Sequence, residues 1–166
     1  MRKVVALLAS FLFFCVAPGT VAGLIPWIIT HWRLHPAFFD IAGLRDLGIA
    51  LVIVGIVPLA ESFARFAWKG LGTPAPFMPT RHLVVTGFYR HVRNPMYIGV
   101  LAAILGQALW LGDERLFLYA AIVWLLSHLF IVAYEEPMLR RSFGEQYAAY
   151  RVNVPRWLPR LTPWSA

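Results

Sequence analysis

Charged side chains are scarce in this sequence. Of its 166 residues, 15 are Lys or Arg and 8 are Asp or Glu, so 14% are charged, whereas a soluble domain carries roughly 25%. So few charges do not cover a water-facing surface, and 60% of the residues are hydrophobic. The composition therefore excludes an ordinary soluble domain and predicts a single integral membrane domain over residues 1–166.

Cysteines and metal-ligand patterns are also nearly absent. The one cysteine, Cys15, lies inside the first apolar run, so no disulfide can form within the chain. No spacing typical of metal ligands occurs, and we predict no metal site. The formal net charge is +7, but the basic residues flank apolar runs and form no nucleic-acid-reading motif. Membrane lipid, rather than nucleic acid, is the predicted partner.

Four apolar runs and one amphipathic segment organise the chain. The apolar runs cover Val4–Ile29, Ile41–Trp68, Pro95–Leu111 and Leu116–Tyr134, and each is long enough to be a candidate transmembrane helix. Pro137–Tyr150 follows, with apolar residues recurring at spacings of three and four. The predicted fold is all-α and polytopic, with four transmembrane helices and a C-terminal interfacial amphipathic helix.

Lys and Arg residues are distributed unequally between the two sides of this topology. One side holds Arg2, Lys3, Lys69, Arg81, Arg90, Arg93, Arg140, Arg141, Arg151, Arg156 and Arg160. The other side holds Arg33, Arg45 and Arg115. Cytoplasmic loops carry the excess of positive charge, so both termini are predicted to be cytoplasmic. In a bacterium the membrane would be the inner, or plasma, membrane.

Two polar clusters are expected to meet at the cytoplasmic surface. Tyr89–Tyr97 precedes the third predicted span, and Glu135–Glu136 follows the fourth. A tight loop at Gly112–Arg115 joins these two spans, so they are neighbours and their cytoplasmic ends lie close together. The basic cluster can bind a carboxylate or phosphate, and the glutamates can accept from an ammonium or from ribose hydroxyls. The same residue types are also typical of ordinary membrane anchors.

Three spaced motifs run in order through the second half of the chain. They are Gly87-x-Tyr89-Arg90-x-x-Arg93-Asn94-Pro95-x-Tyr97-x-Gly99, then Glu135-Glu136-x-x-Leu139-x-x-x-Phe143-Gly144-x-x-Tyr147-x-x-Tyr150, then Val154-Pro155-Arg156. Together they resemble the C-terminal core of the isoprenylcysteine carboxyl methyltransferase and phospholipid methyltransferase superfamily, over about residues 81–159. Members of that superfamily are integral membrane enzymes that use S-adenosylmethionine.

The resemblance implies a set of site residues. Cofactor contacts carried over from the family fall on Arg81, His82, Leu83, Val84, Tyr89, Asn94, Pro95, Met96, Tyr97 and one of Glu135 or Glu136. Gly99 is added because its missing side chain permits close backbone approach. The predicted catalytic residues are Glu135 or Glu136 as the base for an amine or thiol acceptor, and Arg90 and Arg93 as the cations for a carboxylate acceptor.

Two positions depart from the family pattern. Asn94 stands where a histidine is commonest, and Ile131 and Val132 stand where the isoprenylcysteine branch has an arginine. The acceptor is therefore predicted only to be lipophilic, and it stays open among an amine, a thiol and a carboxylate. His128, in the middle of the fourth span, is interpreted as a histidine that hydrogen bonds to another helix rather than as a haem or metal ligand.

The sequence predicts methyl transfer from S-adenosylmethionine to a lipophilic or membrane-embedded acceptor. Two alternatives stay open at this stage. One is a non-catalytic membrane subunit or small transporter, and the other is a pseudoenzyme that binds the cofactor but methylates nothing.

Overall fold

The computed structural model describes residues 16–41, 43–69 and 83–165. All regular structure within those residues is helical, which confirms the predicted all-α class for this part of the chain. The main helices are α1 (Val16–Thr30), α2 (Gly43–Lys69), α3 (Pro95–Leu111), α4 (Arg115–Phe130) and α5 (Glu136–Asn153). Two short 3₁₀ helices, Phe38–Asp40 and Gly87–Arg90, lie in the connections.

Within the described residues, two helical stretches are long and apolar enough to cross a membrane. They are Gly43–Ser62 and Arg115–Asn153, and only 17% of the most apolar window of each is buried. A helix in the core of a soluble protein would be mostly buried, so the exposed apolar faces indicate a lipid environment. Val16–Thr30 and Pro95–Leu111 are shorter apolar helices. The count of four spans stays a prediction, and the first half of the first predicted span lies outside the described residues.

The fourth predicted span and the amphipathic segment form one continuous helix. A π-helical turn, Ile131–Glu135, joins α4 to α5 without a loop. Pro137 lies in the first turn of α5, where its missing N–H costs least. The path changes direction later, at Gly144, whose φ of 48° and ψ of −123° are accessible to glycine alone. The amphipathic helix is therefore present, but it continues directly from the span.

Glycines bring α2 and α3 into close antiparallel contact. A Cβ atom added at Gly48 would lie 2.6 Å from the carbonyl oxygen of Gly106, and one added at Gly55 would lie 2.7 Å from that of Gly99. Gly48 and Gly55 are seven residues apart on α2, and Gly99 and Gly106 are seven residues apart on α3. This spacing places the two glycines of each helix on one face. With no side chain between them, the two backbones approach as small residues allow in membrane helices.

The central helix of the bundle is α3. Its residues Ile104, Ala108 and Leu111 are buried in a core that includes Leu116 and Ala120 of α4. Polar groups inside the bundle are paired with backbone carbonyls of α1. Gln107 Nε2 donates to the Ala22 carbonyl oxygen at 2.7 Å, and the Tyr119 hydroxyl donates to that of Val21 at 2.8 Å. Each of these hydrogen bonds gives a polar side chain an acceptor, which the hydrocarbon of the lipid cannot provide.

A buried aspartate anchors the loop between α3 and α4. Asp113 accepts hydrogen bonds from Arg115 through Nε at 2.9 Å and through Nη2 at 2.6 Å, and it lies 3.9 Å from His35 Nδ1. The connection before α2 packs on the same loop, where the His35 amide donates to the Leu111 carbonyl oxygen at 2.8 Å. Gly112 ends α3 in the left-handed conformation. The tight loop predicted at this end of the bundle is confirmed.

We expect Gly55→Ala to lower the free energy of unfolding by roughly 1–3 kcal/mol, because the new methyl group would meet backbone atoms of α3. Thermal unfolding of the detergent-solubilised protein measures the change. Gly43→Ala is the matched control, since a Cβ atom there meets nothing within 4 Å. Equal stability of the two variants would contradict the close contact between the helices.

Asp113 should make stability depend on acidic pH. The hydrogen bonds from Arg115 hold the pKa of Asp113 below its ordinary value of 3.8. A carboxyl group with a lower pKa in the folded than in the unfolded chain stabilises the fold above about pH 4, and this contribution is lost as the pH falls through the folded pKa. Below about pH 4, the unfolding temperature of Asp113→Asn should therefore fall less steeply with decreasing pH than that of the wild-type protein. Asp46→Asn, which removes an exposed carboxylate, is the matched control.

Candidate active site

Glu136 lies at the centre of the polar end of the bundle. Its Oε1 atom accepts hydrogen bonds from Arg93 Nη1 and Arg156 Nε, each at 2.8 Å. The exposed fractions of the Arg93 and Glu136 side chains are 11% and 7%, so water barely reaches this pair. The hydrogen bond also raises the pKa of Arg156 above its usual range. One carboxylate oxygen thus joins the segment before α3, the start of α5 and the C-terminal tail.

The neighbouring glutamate has a different environment. Glu135 Oε2 accepts a hydrogen bond from the Tyr97 hydroxyl at 3.3 Å. No described Lys, Arg or His forms an ion pair with Glu135, whereas Glu136 has two arginine partners. The two predicted clusters therefore meet, as the short loop between the spans implied. The two carboxylates are not equivalent, because Glu136 forms ion pairs with two arginines and Glu135 forms none within the described residues.

The C-terminal tail is held along the segment before α3 by backbone hydrogen bonds. The Arg93 amide donates to the Pro155 carbonyl oxygen at 2.9 Å, and the Trp164 amide donates to that of Arg90 at 2.9 Å. Arg90 Nε donates in return to the Trp164 carbonyl oxygen at 2.7 Å. Arg90, predicted as a catalytic cation, thus contacts the tail backbone, and its catalytic role stays a prediction.

An aromatic cluster covers the Tyr97 side of the site. The ring centroids of Trp157 and Tyr97 are 6.4 Å apart, with the rings edge to face. Trp157 Nε1 donates to His128 Nδ1 at 3.1 Å, and His128 stacks on Trp124 at a centroid distance of 5.5 Å. The predicted hydrogen bond of His128 is present, but its partner is the tail rather than another helix.

Arg156 and Trp157 were not among the residues predicted for the site. The sequence contained one signal for them, the Val154-Pro155-Arg156 motif in the family resemblance. The motif places these residues after α5 but does not indicate that the tail folds back over α3 and α4.

Two predicted cofactor-binding residues make structural hydrogen bonds. The buried side chain of Asn94 donates through Nδ2 to the Arg156 carbonyl oxygen at 3.2 Å. Tyr89 hydrogen bonds through its side chain with Ser62 of α2, and its carbonyl oxygen accepts from the Tyr150 hydroxyl at 2.7 Å. Burial raises the pKa of Tyr89 above its ordinary value of 10.0, so its hydroxyl stays protonated.

The predicted segment before Gly87 is only partly described. Leu83 packs against a buried cluster formed by Tyr147, Tyr150 and Val154. Val84 is half-buried, and neither residue is in a strand. Arg81 and His82 lie outside the described residues, so their part in the site stays a prediction.

The last three predicted cofactor residues lie at the start of α3. Pro95 is the first residue of the helix and is buried, and Met96 is half-buried. Gly99 faces α2, where an added Cβ atom would lie 2.5 Å from the Gly55 carbonyl oxygen. This contact gives Gly99 a packing role, and its contact with a cofactor stays a prediction.

Comparison with known proteins gives the same assignment as the motifs. The phospholipid methyltransferase family model matches residues 44–146, which is more than half of the chain. The chain belongs to the phospholipid methyltransferase family. The match covers α2 to the first part of α5, and therefore Arg93, Tyr97 and both glutamates. Family membership places the chain in the superfamily that its motifs resemble.

Individual relatives of this family member support the same superfamily. The chain is 36% identical over 82 residues to the protein-S-isoprenylcysteine O-methyltransferase of Schizosaccharomyces pombe, which is 48% of this chain and 34% of the relative. It is 34% identical over 139 residues to the protein-S-isoprenylcysteine O-methyltransferase B of Arabidopsis thaliana, covering 81% of this chain and 64% of the relative. It is also 38% identical over 63 residues to an uncharacterized Haemophilus influenzae protein, covering 38% of this chain and 100% of the relative. The chain thus spans less than two thirds of either methyltransferase.

Glu136→Gln should destabilise this family member by about 3 kcal/mol, because the change leaves two partly buried guanidinium groups without their carboxylate. Denaturation of the purified protein, monitored through tryptophan fluorescence, measures the loss. Glu145→Gln, which removes an exposed carboxylate without a partner among the described residues, is the matched control. A wild-type unfolding curve for Glu136→Gln would show that this carboxylate does not hold the tail in place.

Proposed function

We propose that this protein transfers the methyl group of S-adenosylmethionine to a lipophilic acceptor at the Tyr97–Glu135 end of the bundle. The observation that carries the proposal is the difference between the two adjacent glutamates. Glu136 is paired with two arginines, while Glu135 has a tyrosine hydroxyl as its hydrogen-bond partner and no cation among the described residues. A carboxylate left without a cation, next to aromatic rings, is suited to a positively charged ligand.

The residues around Glu135 fit the cofactor by their chemistry. S-adenosylmethionine, when bound, supplies an activated methyl group on a sulfonium ion. Its ammonium and ribose hydroxyls need acceptors, which Glu135 provides, and its adenine needs a flat apolar surface, which Tyr97 or Trp157 provides.

The protein contributes three things to this reaction: alignment of the acceptor, shielding of the site from water, and a proton acceptor. The tail places Trp157 edge to face with Tyr97, and both side chains are partly buried, so this side of the site is less open to water. Glu135, oriented by the Tyr97 hydroxyl, is the residue positioned to take the proton of an amine or thiol acceptor. Alignment of acceptor and donor supplies most of the remaining rate enhancement.

The acceptor is proposed to reach the site from the bilayer. Leu126, Phe130 and Tyr134 recur every four residues on the helix leading to Glu135 and are exposed, as lipid-facing side chains are. Two of the relatives are named for methyl transfer to isoprenylcysteine. The arginine expected in that branch is replaced by Ile131 and Val132, which favours an acceptor that needs no cation at this turn.

We further infer that the site faces the cytoplasm. In the described part of the chain, Arg65 near the end of α2 and seven arginines between Arg90 and Arg160 lie at this end, whereas Arg33, Arg45 and Arg115 lie at the other. The excess of positive charge favours the cytoplasmic side for this end, where S-adenosylmethionine is available.

Glu135→Gln should weaken the binding of S-adenosylmethionine about tenfold or more, since a charge-assisted contact is lost while the fold is kept. Calorimetric titration of the purified protein measures the affinity. Mass spectrometry of methylated products, in cells with and without the protein, then tests transfer and identifies the acceptor class. Glu114→Gln, an exposed carboxylate at the other end of the bundle, is the matched control.

Two results would contradict the proposal. If the wild-type protein did not bind S-adenosylmethionine, the assignment of this cofactor would be wrong. If Glu135→Gln bound S-adenosylmethionine with wild-type affinity, Glu135 would not contact the cofactor. Binding without methylated product, across amine, thiol and carboxylate acceptors, would instead support the pseudoenzyme alternative.

A further inference from the structure

A cavity opens where α4 passes into α5. Its volume is about 380 Å³, and its lining includes the side chains of four arginines, one glutamate and two apolar residues: Arg93, Arg140, Arg151, Arg156, Glu136, Val132 and Pro137. Tyr97 and Glu135 are not in the lining, so this cavity adjoins the pair that carries the proposed function but does not include it. Four guanidinium groups face a single carboxylate here.

Hydrogen-bond acceptors are too few for the donors around this cavity. Glu136 Oε1 serves both Arg93 and Arg156. Arg140 and Arg151 have no hydrogen bond or ion pair within the described part of the chain, and Arg93 Nε is buried without a partner. A guanidinium carries five N–H donors and no acceptor. The cavity is therefore complementary to a ligand with several acceptor oxygens and negative charge, such as a phosphate.

An apolar strip leads to the cavity along the outside of α4. Leu118, Ile122, Leu125, Leu129 and Val132 recur every three or four residues, and between 43% and 67% of each side chain is exposed. Val132 ends the strip and also lines the cavity. A ligand that places hydrocarbon on the strip and a phosphate among the arginines would use both features at once. Phospholipids have this combination, whereas a soluble phosphate would use only the cavity.

We propose that this cavity binds the phosphate of an anionic membrane phospholipid whose acyl chains lie along the α4 strip. The lipid is a bound ligand at the membrane surface and need not be the methyl acceptor. A zwitterionic lipid offers the same phosphate, but its cationic headgroup would lie among guanidinium groups of the same charge. The proposal depends on the membrane location of the helices and not on the methyl-transfer chemistry.

The test is native mass spectrometry of the detergent-purified protein, titrated with phosphatidylglycerol or with phosphatidylcholine of the same acyl chains. We expect phosphatidylglycerol to bind more tightly, and Arg140→Gln and Arg151→Gln each to weaken it about tenfold through loss of a charge-assisted contact. Arg141→Gln is the matched control, because Arg141 adjoins Arg140 on the same helix but lines a different cavity. It should change the affinity less than about twofold.

Several outcomes would overturn the proposal. Equal binding of the two lipids by the wild-type protein would show that the apolar strip binds lipid without the cavity. An equal loss in Arg141→Gln would indicate general surface charge rather than a site. Competition by glycerol phosphate or inorganic phosphate at the concentrations at which phosphatidylglycerol binds would identify a soluble anion. The comparison of ligands needs only the wild-type protein, so it does not depend on how the variants fold.

Discussion

The polar end of this protein depends on one shared carboxylate. Glu136 accepts from Arg93 and from Arg156 on the same oxygen, and these residues belong to three separate parts of the chain. Charges this little exposed are costly unless they are paired and hydrogen-bonded. The pairing therefore fixes where α5 begins relative to α3 and where the tail crosses both. It also leaves Glu135, one residue earlier, without a cation among the described residues, and this asymmetry is the basis of the proposed site.

A second constraint lies within the bundle. The glycine contacts between α2 and α3 allow no side chain between the two backbones, so the relative position of the helices is fixed within a narrow range. The end of α2 is thereby brought to the segment before α3. There Glu61 accepts from the Phe88 amide at 3.2 Å, and Ser62 hydrogen bonds with Tyr89. The packing of small residues in the membrane and the arrangement of the polar end are thus parts of one structure.

The charged end of the bundle presents two surfaces with opposite ligand preferences. The Tyr97–Glu135 pair is suited to a cationic ligand, while the arginines beside Glu136 are suited to an anionic one. Glu136 separates the two by neutralising part of the positive charge next to Glu135. If this carboxylate were absent, the electrostatic preference of both surfaces would change.

The sequence by itself determined the membrane class and the helices near the site. The apolar run Pro95–Leu111 coincides with α3, because a proline at the first helical position and a glycine after the last one mark both ends. The short loop after it was enough to predict that Tyr97 and the two glutamates meet. Only the tertiary structure decided which glutamate is paired and that Trp157 covers Tyr97. The partners of Glu136 lie 43 and 20 residues away along the chain, and no local periodicity encodes pairings that form only when the tail folds back.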